Sequence, residues 1–273
     1  MIKKYKFLIA RRITQISIMV LYVIANVYGI NILMGNLSSS LILKTVPLSD
    51  PYAVLQMFFA GAFISFDIFL GALFILIFYM IVGGRAFCSW VCPVNMITDL
   101  ANFLRRKFGF NQIQKKQPAS RNIRYWVIAI SFVISFFMGL AAFELVSPIS
   151  MVHRGIIFGL GFGWAAMLVI FLFDLFVLKN GWCGHICPLG GFYSLVGRFS
   201  LIRVHHNADN CTACMKCKEV CPESQVLHMV TKTSIPVLSG ECTNCGRCVE
   251  VCDDNALNFS IKNLKKEKQN EVR

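Results

Sequence analysis

Residues 211–222 read CTACMKCKEVCP, and residues 242–253 read CTNCGRCVEVCD. Each stretch has three cysteines spaced two residues apart and a fourth cysteine after three more residues. Such a loop directs three thiolates at one face of a cubane, while the fourth thiolate lies on the following turn and reaches a second cluster. The repeat therefore predicts an α+β ferredoxin-like domain with two neighbouring [4Fe-4S] clusters.

Interleaving of the ligands assigns each cysteine to one of the two clusters. The two predicted ligand sets are Cys211, Cys214, Cys217 and Cys252 for one cluster, and Cys242, Cys245, Cys248 and Cys221 for the other. The alternatives are a pair of four-cysteine zinc sites and a disulfide framework. Zinc prefers two C-x-x-C knuckles with a longer spacer, and a reducing cytoplasm disfavours disulfides. Asp253 stands where Pro222 stands in the first run, which removes no ligand.

The other four of the 12 cysteines form two C-x-x-x-C-P motifs, in GGRAFCSWVCPVN and KNGWCGHICPLGG. These cysteines are Cys88 and Cys92 in the first motif and Cys183 and Cys187 in the second. Each motif follows an apolar stretch, which predicts a tandem repeat of two helices plus one motif. Two-fold symmetry would bring the four thiols together to hold an additional cluster or a metal ion. The alternative is that they are reduced thiols that pack a helix end.

The composition, with 56% hydrophobic and 15% charged residues and a mean hydropathy of +0.61, places the chain among membrane proteins. Uncharged stretches predict an α-helical bundle of four transmembrane helices. Their bounds are Arg12 to Lys44, with the apolar centre at 13–34, then Asp50 to Arg85, Arg124 to Glu144, and Arg154 to Lys179. Two domains follow, a transmembrane domain over 1–197 and a cytoplasmic ferredoxin-like domain over 198–273.

The basic residues predict the orientation in the membrane. Of the 27 Lys and Arg residues, 25 lie in the N-terminal tail, in the 83–124 loop or from Lys179 onward. Because basic residues near span ends are retained in the cytoplasm, both termini are expected there, with the chain in a bacterial inner membrane. The net charge of +13 is thus explained by the retention of basic residues in the cytoplasm. We expect no nucleic-acid partner, because no basic stripe is interleaved with exposed aromatic residues.

These features together resemble the NapH/MauN superfamily of ferredoxin-type membrane proteins. The shared motif GR-x-F-C-x-x-x-C-P appears here as GGRAFCSWVCP. The FixG/CcoG group and the C-terminal part of NosR share it too, but they carry further domains, so the size of this chain favours NapH over them. Size does not separate NapH from MauN. That resemblance implies a quinol dehydrogenase component, a relay rather than a complete enzyme. Electrons from menaquinol or ubiquinol would pass toward a periplasmic nitrate reductase through a NapG-type iron–sulfur protein or a NapC-type cytochrome.

A quinol site needs an apolar slot, hydrogen-bonding groups and a proton acceptor. Asp67, Glu144 and His153, beside Arg154, are expected to approach one periplasmic pocket. Asp67 is placed within the second span, where a carboxylate costs on the order of 3 kcal/mol. The alternative for Glu144, His153 and Arg154 is that they are solvated loop residues. An alternative function is a FixG/CcoG-like membrane iron–sulfur metal (copper) reductase or assembly factor, which would use the same clusters.

Overall fold

The computed structural model describes residues 5–29, 33–35, 37–42, 46–109, 120–158, 161 and 163–261. The chain divides into two compact units. We call them the C-terminal unit (residues 1–10, 79–86 and 193–273) and the helical unit (residues 11–78 and 87–192). The C-terminal unit is therefore assembled from three separate parts of the chain, whereas the sequence predicts one continuous segment from residue 198.

The described elements before residue 200 are mostly helices. They are α1 (Lys6–Tyr28), α2 (Pro51–Phe59), α3 (Phe66–Val82), α4 (Ala86–Trp90), α5 (Val94–Lys107), α6 (Ile123–Met138), α7 (Ala142–Val146), α8 (Pro148–Phe158), α9 (Gly163–Leu172) and α10 (Pro188–Val196). Two π-helical turns, Phe173–Val177 and Trp182–Ile186, and the 3₁₀ turn Gly197–Phe199 complete the set. The predominance of helix agrees with the prediction.

The four predicted spans are only partly reproduced. Among the described residues, α1 is the one helix long and apolar enough to cross a membrane, and three further apolar helices are shorter, at Phe66–Val82, Ile123–Met138 and Gly163–Val177. The second predicted span is broken, since α2 ends before Gly61, whose φ of +71° lies in the left-handed region. Four transmembrane helices are therefore not established by the structure.

The helices carry apolar side chains on their outer surface. Phe74 of α3, Phe137 of α6 and Val169 of α9 are 61%, 80% and 65% exposed. In contrast, Gln15 of α1 and Ser135 of α6 are fully buried. This distribution is the reverse of that in an amphipathic helix of a water-soluble protein.

A small antiparallel sheet follows α1, where the sequence predicts that the first span continues to Lys44; α1 instead ends at Tyr28. The sheet contains β1 (Leu33–Gly35), β2 (Ser39–Ile42) and β3 (Val46–Ser49), with β2 in the middle. Ser40 pairs with Gly35 and with Leu48. Strands of three or four residues give too short an alternation of polar and apolar residues to be recognised in the sequence.

The C-terminal unit contains a two-stranded antiparallel sheet and two short helices. These elements are β4 (Ile202–His206), β5 (Leu257–Ile261), α11 (Lys216–Val220) and α12 (Arg247–Glu250). Val204 of β4 and Leu257 of β5 belong to a buried core that also includes cysteine side chains. An α+β ferredoxin-like arrangement is thus present where the sequence predicts it.

Glycines allow close backbone contact within the C-terminal unit. A Cβ atom on Gly84 would lie 2.1 Å from the carbonyl oxygen of Tyr193, and one on Gly240 would lie 2.0 Å from that of Ser194. Both distances are far below van der Waals contact, and the obstructing atoms are backbone atoms. The segments can therefore pack this closely only without a side chain at these positions.

We expect Gly84→Ala to destabilise the protein by roughly 1–3 kcal/mol, because the backbone must shift to admit the methyl group. The measurement is the urea concentration at which the iron–sulfur absorbance is lost under anaerobic conditions. Gly155→Ala is the control, since a Cβ atom at Gly155 in α8 meets no atom within 4 Å. Equal midpoints for the two variants would contradict the packing argument.

Candidate functional site

The two C-x-x-C-x-x-C loops of the C-terminal unit have the same backbone conformation. Ala213 and Met215 have φ of +59° each, and Asn244 and Gly246, at the equivalent positions, have φ of +47° and +74°. Left-handed residues at alternate positions direct successive backbone N–H groups into a concavity that suits an anion. Both loops are thus shaped to surround anionic sulfur.

The first predicted ligand set is brought together by the structure. Burial raises the pKa of the Cys217 thiol, and the proximity of the Cys214, Cys252 and Cys211 thiols raises it further. Cys252 comes from the second run, so the crosswise arrangement expected from the spacing is present. Cys214 is exposed, which leaves this set open to solvent on one side.

The second predicted set lines a small cavity in the C-terminal unit. Its cysteines are Cys221, Cys242, Cys245 and Cys248. Burial, together with a smaller effect of the Cys245 thiol, raises the pKa of Cys242 to about 11. Thiols enclosed in this way become thiolates readily only beside a cation. An all-sulfur donor set around such a cavity fits a [4Fe-4S] cluster.

Two buried arginines lie close to this second set, and the sequence reasoning did not identify them. The positive charges of Arg203 and Arg85 act on Cys242 to lower its pKa, against the effect of burial. Arg85 Nη1 donates to Glu223 Oε1 at 2.8 Å, and both side chains are at most 2% exposed. Arg203 donates to backbone carbonyls, including that of Val237 at 3.0 Å. The position of Arg85 inside the GGRAF motif was the available signal.

The two C-x-x-x-C-P motifs in the helical unit also share one backbone arrangement. Cys92 N donates to Phe87 O at 3.0 Å, and Cys187 N donates to Trp182 O at 2.9 Å. In both motifs the bond reaches back five residues, from the second cysteine to the residue before the first. Wide turns of this kind are frequent at functional sites. The matching bonds support a tandem repeat.

All four cysteines of these motifs line one small cavity. The rest of the lining is largely apolar and includes Phe143, Ile149 and Trp182. Burial raises the pKa of the Cys92 and Cys183 thiols well above the ordinary range. The structure thus assembles the third cysteine set that the repeat predicts. Within the described parts of the chain, no group of three or more His, Cys, Asp or Glu side chains is arranged to hold a metal ion. This finding does not favour a single ion at the third set, whereas in a cubane each of the four thiolates ligates a different iron.

Two buried polar side chains support this third set, and neither was recognised in the sequence. Gln15 of α1 is fully buried, and its Nε2 donates to the carbonyls of Ser89 at 3.2 Å and Cys92 at 3.1 Å. Asp174 is also fully buried and accepts the backbone N–H of Trp182 at 3.1 Å. A glutamine and an aspartate within apolar stretches are the only sequence signals of these roles.

The predicted quinol-site residues differ in their exposure and in the helices that carry them. Asp67 is exposed in the first turn of α3. It does not lie within one continuous helix, because residues 62–65 between α2 and α3 are not helical. A carboxylate in the first turn of a helix is favourable, because it interacts with the positive end of the helix dipole. Among the described residues, no hydrogen bond or ion pair joins Asp67 to Glu144 or His153. Arg154 is exposed.

Glu144 and His153 lie in the neighbouring helices α7 and α8. Glu144 is half-buried and accepts hydrogen bonds from Ser38 Oγ at 2.7 Å and Ser150 Oγ at 2.8 Å. His153 is 1% exposed and packs edge-on against Tyr22 of α1. Neither side chain is a solvated loop residue.

Comparison with known proteins gives matches over most of the chain. A family model described as a 4Fe-4S binding domain matches residues 64–111 and 160–205, and a 4Fe-4S dicluster domain matches residues 203–253. The methylamine utilization ferredoxin-type protein MauN of Methylorubrum extorquens is 42% identical over 88% of this chain and 84% of its own length.

Two further relatives carry a second name. The ferredoxin-type protein NapH of Haemophilus influenzae is 42% identical over 81% of this chain and 77% of its own length. NapH of Escherichia coli is 41% identical over 82% of this chain and 78% of its own length. No solved structure gives a significant match.

Proposed function

Because the chain belongs to the family of ferredoxin-type 4Fe-4S proteins that includes NapH and MauN, we propose that it is a membrane quinol dehydrogenase component. In this role a ferredoxin-type electron-transfer protein takes electrons from menaquinol or ubiquinol and delivers them toward a periplasmic nitrate reductase. The observation that carries the proposal is the grouping of all 12 cysteines into three sets of four. Three such sets in one chain suit a relay of electrons.

The third set gives the relay a cluster outside the ferredoxin-like domain. Its cavity, like the cavity of the second set in the C-terminal unit, is lined by four cysteines. Each bound [4Fe-4S] cluster supplies one-electron transfer at its site. The apolar lining excludes water, while Gln15 and Asp174 fix the backbone that carries the cysteines. We therefore propose three clusters, ligated at this site by Cys88, Cys92, Cys183 and Cys187.

A membrane location is supported by the helical unit. α1 is long and apolar enough to span a bilayer, and α3, α6 and α9 expose phenylalanine and valine side chains. Exposed apolar side chains on several helices are expected where lipid, rather than water, surrounds the protein. The clustering of basic residues favours an inner membrane with both termini cytoplasmic. The partners in this proposal are the quinone pool, a NapG-type iron–sulfur protein and a NapC-type cytochrome.

The test uses membrane vesicles that contain the chain, its NapG-type and NapC-type partners and the periplasmic nitrate reductase. Menaquinol is expected to drive nitrite formation. Cys217→Ser, which removes a ligand of the first cluster, is expected to slow it at least tenfold. Lys232→Gln, at an exposed residue of the same unit, is the control and is expected to leave the rate unchanged.

An unchanged nitrite rate in the Cys217→Ser vesicles would contradict this function. If the same variant then failed to support assembly of a copper oxidase, the FixG/CcoG-like copper reductase would become the better description. The C-x-x-x-C-P thiols are the groups that would hold copper in that case.

A further inference from the structure

A group of buried and half-buried polar side chains lies in the helical unit, outside the three cysteine sets. It joins α1, the β2 segment and helices α7 and α8. Its members, which we call the Tyr22–His153 cluster, are Tyr22, Ser38, Ser40, Glu144, Ser150 and His153. None of these residues takes part in the support of the cysteines described above.

Most members of the cluster are already engaged. The Tyr22 hydroxyl interacts with Ser40, and both side chains are at most 6% exposed. The two carboxylate oxygens of Glu144 accept the hydroxyls of Ser38 and Ser150. Glu144 therefore ties the chain before β2 to α8, and it is a positioning residue rather than a free base.

His153 is the exception in this cluster. Its side chain is 1% exposed, yet neither Nδ1 nor Nε2 has a hydrogen-bond partner among the residues that the structure describes. Buried polar groups are nearly always paired, and an unpaired one calls for an explanation such as a bound molecule. The ring itself is well held, with its centroid 4.8 Å from that of Tyr22 and the planes at 84°.

We propose that His153 hydrogen-bonds the oxygen of an apolar ring of the quinol class, with Tyr22 holding the imidazole in place. This inference rests on the proposed function and names the residue that binds its substrate. Burial lowers the pKa of His153, so the imidazole is neutral near pH 7. A neutral imidazole has one acceptor and one donor nitrogen. It can therefore accept from a quinol hydroxyl and donate to a quinone carbonyl.

The chemistry of the surroundings favours this class of ligand. Among the described residues, no charged side chain hydrogen-bonds the His153 ring or acts electrostatically on it, so the structure offers no counter-charge to an ionic ligand. The adjoining helix α1 is apolar along most of its length. A ring with one or two oxygens needs a hydrogen bond and apolar contact, and the unpaired nitrogens of His153 supply the hydrogen bond.

The test is equilibrium binding of a tritiated short-chain menaquinone analogue to the purified full-length protein in detergent, normalised to iron content. His153→Phe removes both nitrogens and is expected to weaken binding about tenfold, the usual effect of losing one hydrogen bond. His153→Asn keeps a donor and an acceptor and is expected to stay within about threefold of the wild type. Ile156→Ala, at an exposed residue of the same helix, is the matched control.

Each outcome bears on one of the two proposals. Wild-type protein that binds the analogue while His153→Phe binds it equally well overturns the inference and leaves the proposed function standing. Wild-type protein that neither binds the analogue nor is reduced by menaquinol overturns the proposed function itself. Where the phenyl ring prevents assembly, His153→Leu replaces it, with the same expected loss of binding.

Discussion

Replacing Glu223 with glutamine is expected to destabilise the protein by roughly 3–5 kcal/mol, because it removes the negative charge that Glu223 places beside the buried Arg85 guanidinium. Arg85 and Glu223 form an ion pair at 2.8 Å, with side chains 1% and 2% exposed. Removing one member of a buried pair costs far more than the pair contributes as a whole. The midpoint of anaerobic urea unfolding, followed by loss of the iron–sulfur absorbance, measures this effect.

Asp253→Asn is the matched control for Glu223→Gln. Asp253 pairs with Lys216 at 3.0 Å, but the two side chains are 72% and 54% exposed, so water already screens the charges. Its unfolding midpoint is expected to equal that of the wild type. If Glu223→Gln also unfolded at the wild-type midpoint, the arginine of the GGRAF motif would not be part of the structure that supports the second cysteine set.

The combined change Cys92→Ser and Cys187→Ser is expected to remove one cluster and to leave the other two in place. Iron should fall from about twelve to about eight atoms per chain, with four atoms in each cubane. The reason is that both cysteines line the cavity of the helical unit and neither contributes to the C-terminal unit. Iron and acid-labile sulfide measured together report the loss.

The reciprocal variant Cys217→Ser provides the control for that experiment. It removes a ligand in the C-terminal unit and should leave the cluster of the helical unit intact. After reduction with dithionite, the EPR spectrum of the double serine variant should lack the signal of the cluster in the helical unit. The spectrum of Cys217→Ser should lack the signal of a cluster in the C-terminal unit. If the double serine variant kept the wild-type iron content, the C-x-x-x-C-P thiols would be helix-packing thiols without a cluster.

Sequence reasoning succeeded where the relevant contacts are local. The cysteine spacing predicted which thiols would meet, because a loop of seven residues largely determines where its three thiols point. The crosswise placement of Cys221 and Cys252 was also predictable, since each lies one turn beyond its loop. The resemblance to NapH and MauN, based on the same motifs, was confirmed by relatives at 41–43% identity.

Features that depend on distant contacts were missed. Gln15 supports a motif more than 70 residues away, and Arg203 contacts carbonyls about 35 residues further along the chain. The break before α3 moved Asp67 out of the apolar segment, because hydropathy alone does not show where a helix stops. The contact of His153 with Tyr22 likewise arises only when α8 packs on α1.

The most direct test of the three-cluster relay is one experiment on the anaerobically purified, full-length protein. Iron and acid-labile sulfide are determined, and EPR spectra are recorded before and after addition of a menaquinol analogue in the presence of the native partner. We expect about twelve irons per chain and the appearance of reduced [4Fe-4S] signals with quinol as the only reductant. About eight irons, with clusters that dithionite reduces and quinol does not, would contradict both the third cluster and the quinol-fed relay.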